Sequence, residues 1–171
     1  FSKGATSAKP LSRFIAISLV YNYRNLDTDL ANYLLNKISD LGKSDDMLGI
    51  FLMKNFKILT PSFRNKLVDD LEKRNIANTL LISSIIINNY SDIETKLKDK
   101  LIEFSKNKDA ADYVAKVIFH DYKLLPESIS KELLLNIYNT NPNSINLVKV
   151  VARYYSNLTQ ELKEILEKKD I

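Results

Sequence analysis

Residues 119–135 read FHDYKLLPESISKELLL. Tyr122 is preceded by Ile118 four residues back and Val114 eight back, and followed by Leu125, Ile129 and Leu133 at plus three, seven and eleven. Steps of four put Val114, Ile118 and Tyr122 on one face of a helix, and Ile129 and Leu133 on one face of another. Between the two runs, Pro126 reads as a helix start because proline has no N–H to leave unsatisfied there. Glu127 then favours the positive end of the helix dipole. The stretch is one helix, a short turn and a second helix.

The same pattern recurs outward in both directions. An aromatic stands at Tyr23, Phe56, Tyr90, Tyr122 and Tyr155, in steps of 33, 34, 32 and 33. Three residues after each comes Leu26, Leu59, Ile93, Leu125 or Leu158; seven after, Leu30, Phe63, Leu97, Ile129 or Leu162; eleven after, Leu34, Leu67, Leu101, Leu133 or Leu166. Four before comes Leu19, Leu52, Ile86, Ile118 or Val151, and eight before, Ile15, Leu48, Ile82, Val114 or Leu147. No polar residue interrupts these columns. Thr60-Pro61 repeats the turn signal as an N-cap and first-turn proline. Polar stretches at Lys43–Asp46, Lys73–Asn75, Asn107–Asp109 and Asn139–Ser144 mark the joins between pairs. The spacing predicts helices over 9–22, 27–40, 45–57, 61–74, 76–89, 92–106, 109–121, 126–139, 143–155 and 159–169.

One helix pair cannot bury its apolar face alone, whereas stacked pairs bury side chains worth about 1.5–3 kcal/mol each. The expectation is an all-α chain: residues 1–8 a linker or frayed start, then one repeat domain over 9–171 with repeats near 9–40, 45–74, 76–106, 109–139 and 143–169. The aromatic column is expected to be structural. No clearly polar terminal cap is visible, which points to a piece of a longer array.

On Phe119–Leu135 and its equivalents the chain resembles HEAT-like repeats, over about residues 10–170. It is similar to the sensor or scaffold repeats of prokaryotic signalling NTPases. The resemblance implies a right-handed α-solenoid of five helix pairs acting as a protein-binding, scaffold or regulatory module. It carries no catalytic residue, cofactor, metal or small-molecule substrate.

Composition bounds the alternatives. Lys and Arg number 25 against 21 Asp and Glu, a net charge of +4, short of the imbalance that alone argues for nucleic acid. With no cysteine there is neither a disulfide framework nor a zinc–thiolate site, and a cytoplasmic setting is expected. No apolar run approaches the roughly 18 residues of a membrane span. Three Gly and four Pro favour helices over tight β-turns.

Several features imitate chemistry. Gly42-Lys43-Ser44 looks like the end of a phosphate-binding loop, but the glycine required five residues earlier is Lys37, and a helix rather than a strand precedes it. The single histidine, His120, lacks the partners that metal binding or general-base catalysis needs. Asp45–Asp46 and Asp69–Asp70 are adjacent pairs, so their carboxylates diverge by about 100° on a helix. Asn89-Tyr90-Ser91 and Asn157-Leu158-Thr159 match the glycosylation sequon by chance.

Basic residues are the remaining candidate. Arg64 and Lys98 share one column of the second helix, and Lys66 and Lys100 another, which predicts a partner- or phosphate-contacting patch. Asp69, Asp70, Asp99 and Glu103 flank it. A second basic row, Arg24, Lys54, Lys57, Lys123 and Arg153, lies at the ends of the first helices, where cations complement the dipole. The leading expectation is a protein partner. The alternative is nucleic-acid backbone binding, as in HEAT-like DNA-repair proteins.

Overall fold

The structure, a computed structural model, describes residues 18, 19, 21–40 and 45–167. It is helical throughout, with no β-strand among the described residues. No helix among them is long and apolar enough to cross a membrane. The chain divides into two compact units, Phe1–Arg74 and Asn75–Ile171, at the join between the second and third repeats.

In the first unit, α1 spans Thr28–Asp40, α2 Asp45–Asn55 and α3 Pro61–Arg74. Helices α2 and α3 pack against each other around Leu48, Phe51, Leu52, Phe56, Leu67 and Leu71. Asp27 caps α1, its carboxylate accepting from the N–H groups of Asp29 and Leu30 at 2.9 and 3.4 Å. The predicted helix over 9–22 lies mostly outside the described residues; residues 18, 19, 21 and 22 are helical. The Gly42 turn and the side chains of Asp45 and Asp46 lie outside them too.

The second unit holds α4 (Asn78–Asn88), α5 (Thr95–Lys106), α6 (Ala111–Asp121), α7 (Glu127–Thr140), α8 (Ile145–Tyr154) and α9 (Gln160–Glu167). Helices α4, α6 and α8 pack side by side in one layer, and α5 and α7 in a second. The core between the layers is Ile82, Ile86, Leu97, Leu101, Val114, Ile118, Leu133, Leu147 and their neighbours. Side-chain hydrogen bonds join residues one repeat apart. Asn136 Nδ2 donates to Ser105 Oγ at 3.1 Å, and Asn88 Nδ2 to Asp121 Oδ2 at 3.4 Å. Ser144 Oγ and Asn146 Nδ2 donate to the two carboxylate oxygens of Asp112 at 2.6 and 2.8 Å.

Each aromatic of the repeat opens a short 3-10 turn: Tyr23–Asn25, Phe56–Ile58, Tyr90–Asp92, Tyr122–Leu124 and Tyr155–Asn157. The first helix therefore stops one residue before the aromatic, or two before Tyr90, rather than running through it. The apolar residue at plus three is extended in every turn, with ψ between 143° and 161°, and redirects the chain into the second helix. The residue before the aromatic sits near φ −113° to −124° and ψ 2° to 18°. Asparagine holds that place three times and returns its amide to the carbonyl four residues back: Asn22 to Ser18, Asn55 to Phe51 and Asn89 to Ile85, at 3.0, 3.1 and 2.8 Å. Pro126 stands at the N-cap (ψ 145°), so α7 begins at Glu127.

Burial follows the columns unevenly. The minus-four column is buried in all five repeats, and the plus-eleven column in the last four. The plus-seven column mixes fully buried Leu97 with exposed Leu30. The aromatic column also varies: Phe56 and Tyr90 are buried, Tyr23 and Tyr122 half-buried, and Tyr155 exposed. What these aromatics share is the turn they open.

Candidate functional site

Arg64 and Lys66 lie on α3 in the first unit, Lys98 and Lys100 on α5 in the second. Arg64 and Lys98 are eight residues beyond the aromatics of their own repeats, which brings each back over that ring. The guanidinium of Arg64 is 4.9 Å from the Phe56 ring centre, and the ammonium of Lys98 is 5.0 Å from that of Tyr90. Lys163 repeats the arrangement over Tyr155 at 5.1 Å. A cation over an aromatic face is worth about 0.5–1 kcal/mol at an exposed site, so this column clasps helix to turn within one repeat. Where the eighth residue is Ala31 or Ser130, it is buried instead. Lys100 lies 5.8 Å from the Phe104 ring on its own helix, and Lys66 is exposed.

The surroundings of Lys98 are acidic. A groove between α5 and α7, of about 410 Å³, is lined by Tyr90, Lys98, Asp99, Glu103, Ile129 and Glu132, among others. Three carboxylates beside one ammonium give a phosphate no net attraction. The Tyr90 hydroxyl feels the same environment: burial first, then the charges of Glu132 and Asp99, push its pKa above the usual 10.0.

The second basic row divides. Lys54 sits 4.1 Å from the Tyr21 ring centre of the preceding repeat. Arg153 donates to the Phe119 carbonyl at 3.2 Å and stacks over the Phe119 ring at 4.7 Å. Both therefore join neighbouring repeats. Arg153 also borders an open groove of about 500 Å³ with His120, Asp121, Lys123, Leu124, Tyr154 and Asn157. His120 is exposed there, its ring edge-on to Phe119 at 5.0 Å, and no cluster of three metal-ligating residues occurs among the described residues.

The sequence reading missed a surface that the packing of α6 and α8 defines. Asp112 and Phe119 on α6 both bond α8: Asp112 accepts from Ser144 and Asn146, and the Phe119 carbonyl from Arg153 and from Tyr154 Oη at 3.1 Å. Ala115, between them at helical spacing, is fully buried. The equivalent face of α8 is Ile145, Val148 and Ala152, continued by Tyr155. Ile145 is 69% exposed, Val148 47% and Tyr155 41%. A stripe at spacings of three, four and three residues, apolar along one face of α8, thus meets solvent. The sequence alone did not mark it, since the same places one repeat earlier hold Asp112, Ala115 and Phe119. Comparison with known protein families, characterised proteins and solved structures finds no match for the chain.

Proposed function

We propose that the chain is a right-handed α-solenoid of five HEAT-like helix pairs that works as a protein-interaction or scaffold module, without catalysis or cofactor. The observation that carries this reading is the set of large apolar side chains left in solvent on earlier repeats, Met53 at 55%, Ile76 at 45% and Leu124 at 52% exposure among them. Apolar side chains left in solvent favour a macromolecular partner over a small substrate. Hydrogen bonds between residues 31 to 35 apart support the stacking of successive pairs. The nucleic-acid alternative draws less support, because Arg64 and Lys98 lie over rings and Lys98 faces carboxylates.

Photo-crosslinking from exposed positions 53, 124 and 148 in the host cell tests the proposal. Protein adducts are expected. Adducts confined to nucleic acid, with salt-sensitive oligonucleotide binding by the purified chain, would replace it with the alternative.

A further inference from the structure

We propose that the groove between α5 and α7 binds a segment of a partner protein that presents an arginine beside apolar residues. The guanidinium sits among Asp99, Glu132 and the Tyr90 hydroxyl, and the apolar residues rest on Ile102 and Ile129. The proposal rests on the protein-binding reading and names one site and the chemistry it takes.

The groove is internal to the row of pairs. Its walls belong to repeats three and four, each of which has a further repeat on both sides in the sequence. It is lined mainly by second-helix side chains, so it opens on the second layer rather than at an end of the stack. At the next junction the places of Asp99, Glu103 and Glu132 are held by Lys131, Leu135 and Ile165, and that of half-buried Ile102 by fully buried Leu134. The acids are therefore particular to this groove and no part of the repeat.

Tyr90 points to a ligand. Its side chain is 8% exposed, yet among the described residues its hydroxyl makes no hydrogen bond. The buried Tyr154, by contrast, donates its hydroxyl to the Phe119 carbonyl. A buried tyrosine hydroxyl ordinarily has a partner. The charges of Glu132 and Asp99 both act on the Tyr90 hydroxyl, so carboxylates flank it from α7 and from α5. A group that reaches the Tyr90 oxygen therefore arrives between two negative charges.

Arginine meets these requirements. Along the lining, three carboxylates against the Lys98 ammonium leave an excess of two negative charges. Among the described residues no group of three carboxylate or imidazole side chains is placed to hold one metal ion, so the acids are spread over two helices rather than gathered at a point. A planar guanidinium with five donors can bridge separated acceptors, where a compact ammonium serves one. Lys98 does not take this place itself, because its ammonium lies over the Tyr90 ring, 5.0 Å from the centre. Half-buried Ile102 and Ile129 offer apolar surface to the arginine stem and its neighbours. The same excess of negative charge repels a nucleic-acid backbone.

The probe is a capped leucine–arginine–leucine peptide titrated into the full chain and read by backbone amide shifts in NMR. Saturable shifts are expected around Tyr90, Asp99, Ile129 and Glu132. Asp99→Asn and Glu132→Gln, both at exposed positions and so expected to keep the thermal midpoint, should each weaken binding about fivefold. Tyr90→Phe should weaken it about threefold. Citrulline in place of arginine keeps the shape without the charge and should abolish saturation, and lysine should weaken binding about threefold. Glu164→Gln, which removes a carboxylate outside the groove, should leave the affinity unchanged. Absence of saturable shifts, or an affinity indifferent to both groove variants, would overturn the site, whereas protein adducts from position 53 or 124 would still uphold protein binding at another surface. An equal loss with Glu164→Gln would overturn it in favour of general charge attraction. Spermidine matching the peptide's affinity at the same amides would assign the groove to a free polycation instead. Sedimentation showing self-association that Glu132→Gln reverses would assign it to a second copy.

Discussion

Phe56 and Tyr155 hold the same place in the second and fifth repeats. Each opens a 3-10 turn, is followed by an extended leucine and lies under a cation eight residues on. Yet Phe56 is 1% exposed and Tyr155 41%. The local backbone is dictated by the repeat, whereas burial is decided by what packs on top. Tyr122 shows the intermediate case, half-buried because Tyr154 of the following repeat stacks on it at 4.6 Å. A column of like residues is therefore evidence for a shared turn before it is evidence for a shared core.

The largest expected effect separates these two directly. Phe56→Ala should cost about 3–5 kcal/mol in chemical denaturation, as for other buried aromatics. Tyr155→Ala should cost much less, because its ring is exposed. Equal losses would break the distinction between turn and core.

Next in size is the junction between repeats. Asp112→Ala leaves Ser144 and Asn146 without their acceptor and should cost about 1–3 kcal/mol. Asp112→Asn, which keeps one acceptor oxygen, should cost less. If the alanine variant matched wild type in urea titration, the junction would hold by apolar packing alone.

Alkaline pH probes the same contrast through the hydroxyls. Burial raises the pKa of Tyr23, Tyr90 and Tyr122 above 10.0. The folded state then holds these protons more tightly than the unfolded state. Their contribution is complete below pH 10.0 and is lost as pH rises through the higher folded values. Thermal stability should fall in that range, and Tyr90→Phe should flatten the fall. Tyr155 is raised for a different cause, first its hydrogen bond to Glu167, so Glu167→Gln should change its titration while leaving that of Tyr90 alone.

The smallest effect concerns the clasp. Lys98→Met and Lys163→Gln should each cost under about 1 kcal/mol. A loss of partner binding with no change in stability would return Lys98 to the role of a contact residue.

Much of the fold was legible because the apolar columns report helix faces directly. The helix read over 61–74 coincides with α3, where Thr60-Pro61 sharpens the start and the apolar spacing sets the face. The turns were read only as breaks, although Asn22, Asn55 and Asn89 recur at steps of 33 and 34 just before the aromatics and carry the 3-10 geometry. The basic column was read as a surface patch because charge invites that reading. The fixed eight-residue distance from an aromatic, which also picks out Lys163, adds a clasp within the repeat to that reading. Asp112 could not be assigned from sequence, since its partners lie 32 and 34 residues away and meet it only once the helices stack. The α8 stripe required the same knowledge: exposure is a property of neighbours, and Val148 is chemically like its buried neighbour Val151.

Ser144 ties two events together through one hydroxyl. Its oxygen accepts from the Leu147 N–H at 3.0 Å and so starts α8, while its proton goes to Asp112 on α6. With the lone pair engaged by Leu147, the proton is already aimed at the carboxylate. Helix α8 therefore gains its best cap only where the preceding pair is already in place to take that proton. At this one join the completed α6–α7 pair thus helps to set the first turn of α8, whereas α4 and α6, preceded by Ala77 and Ala110, start without a side-chain cap.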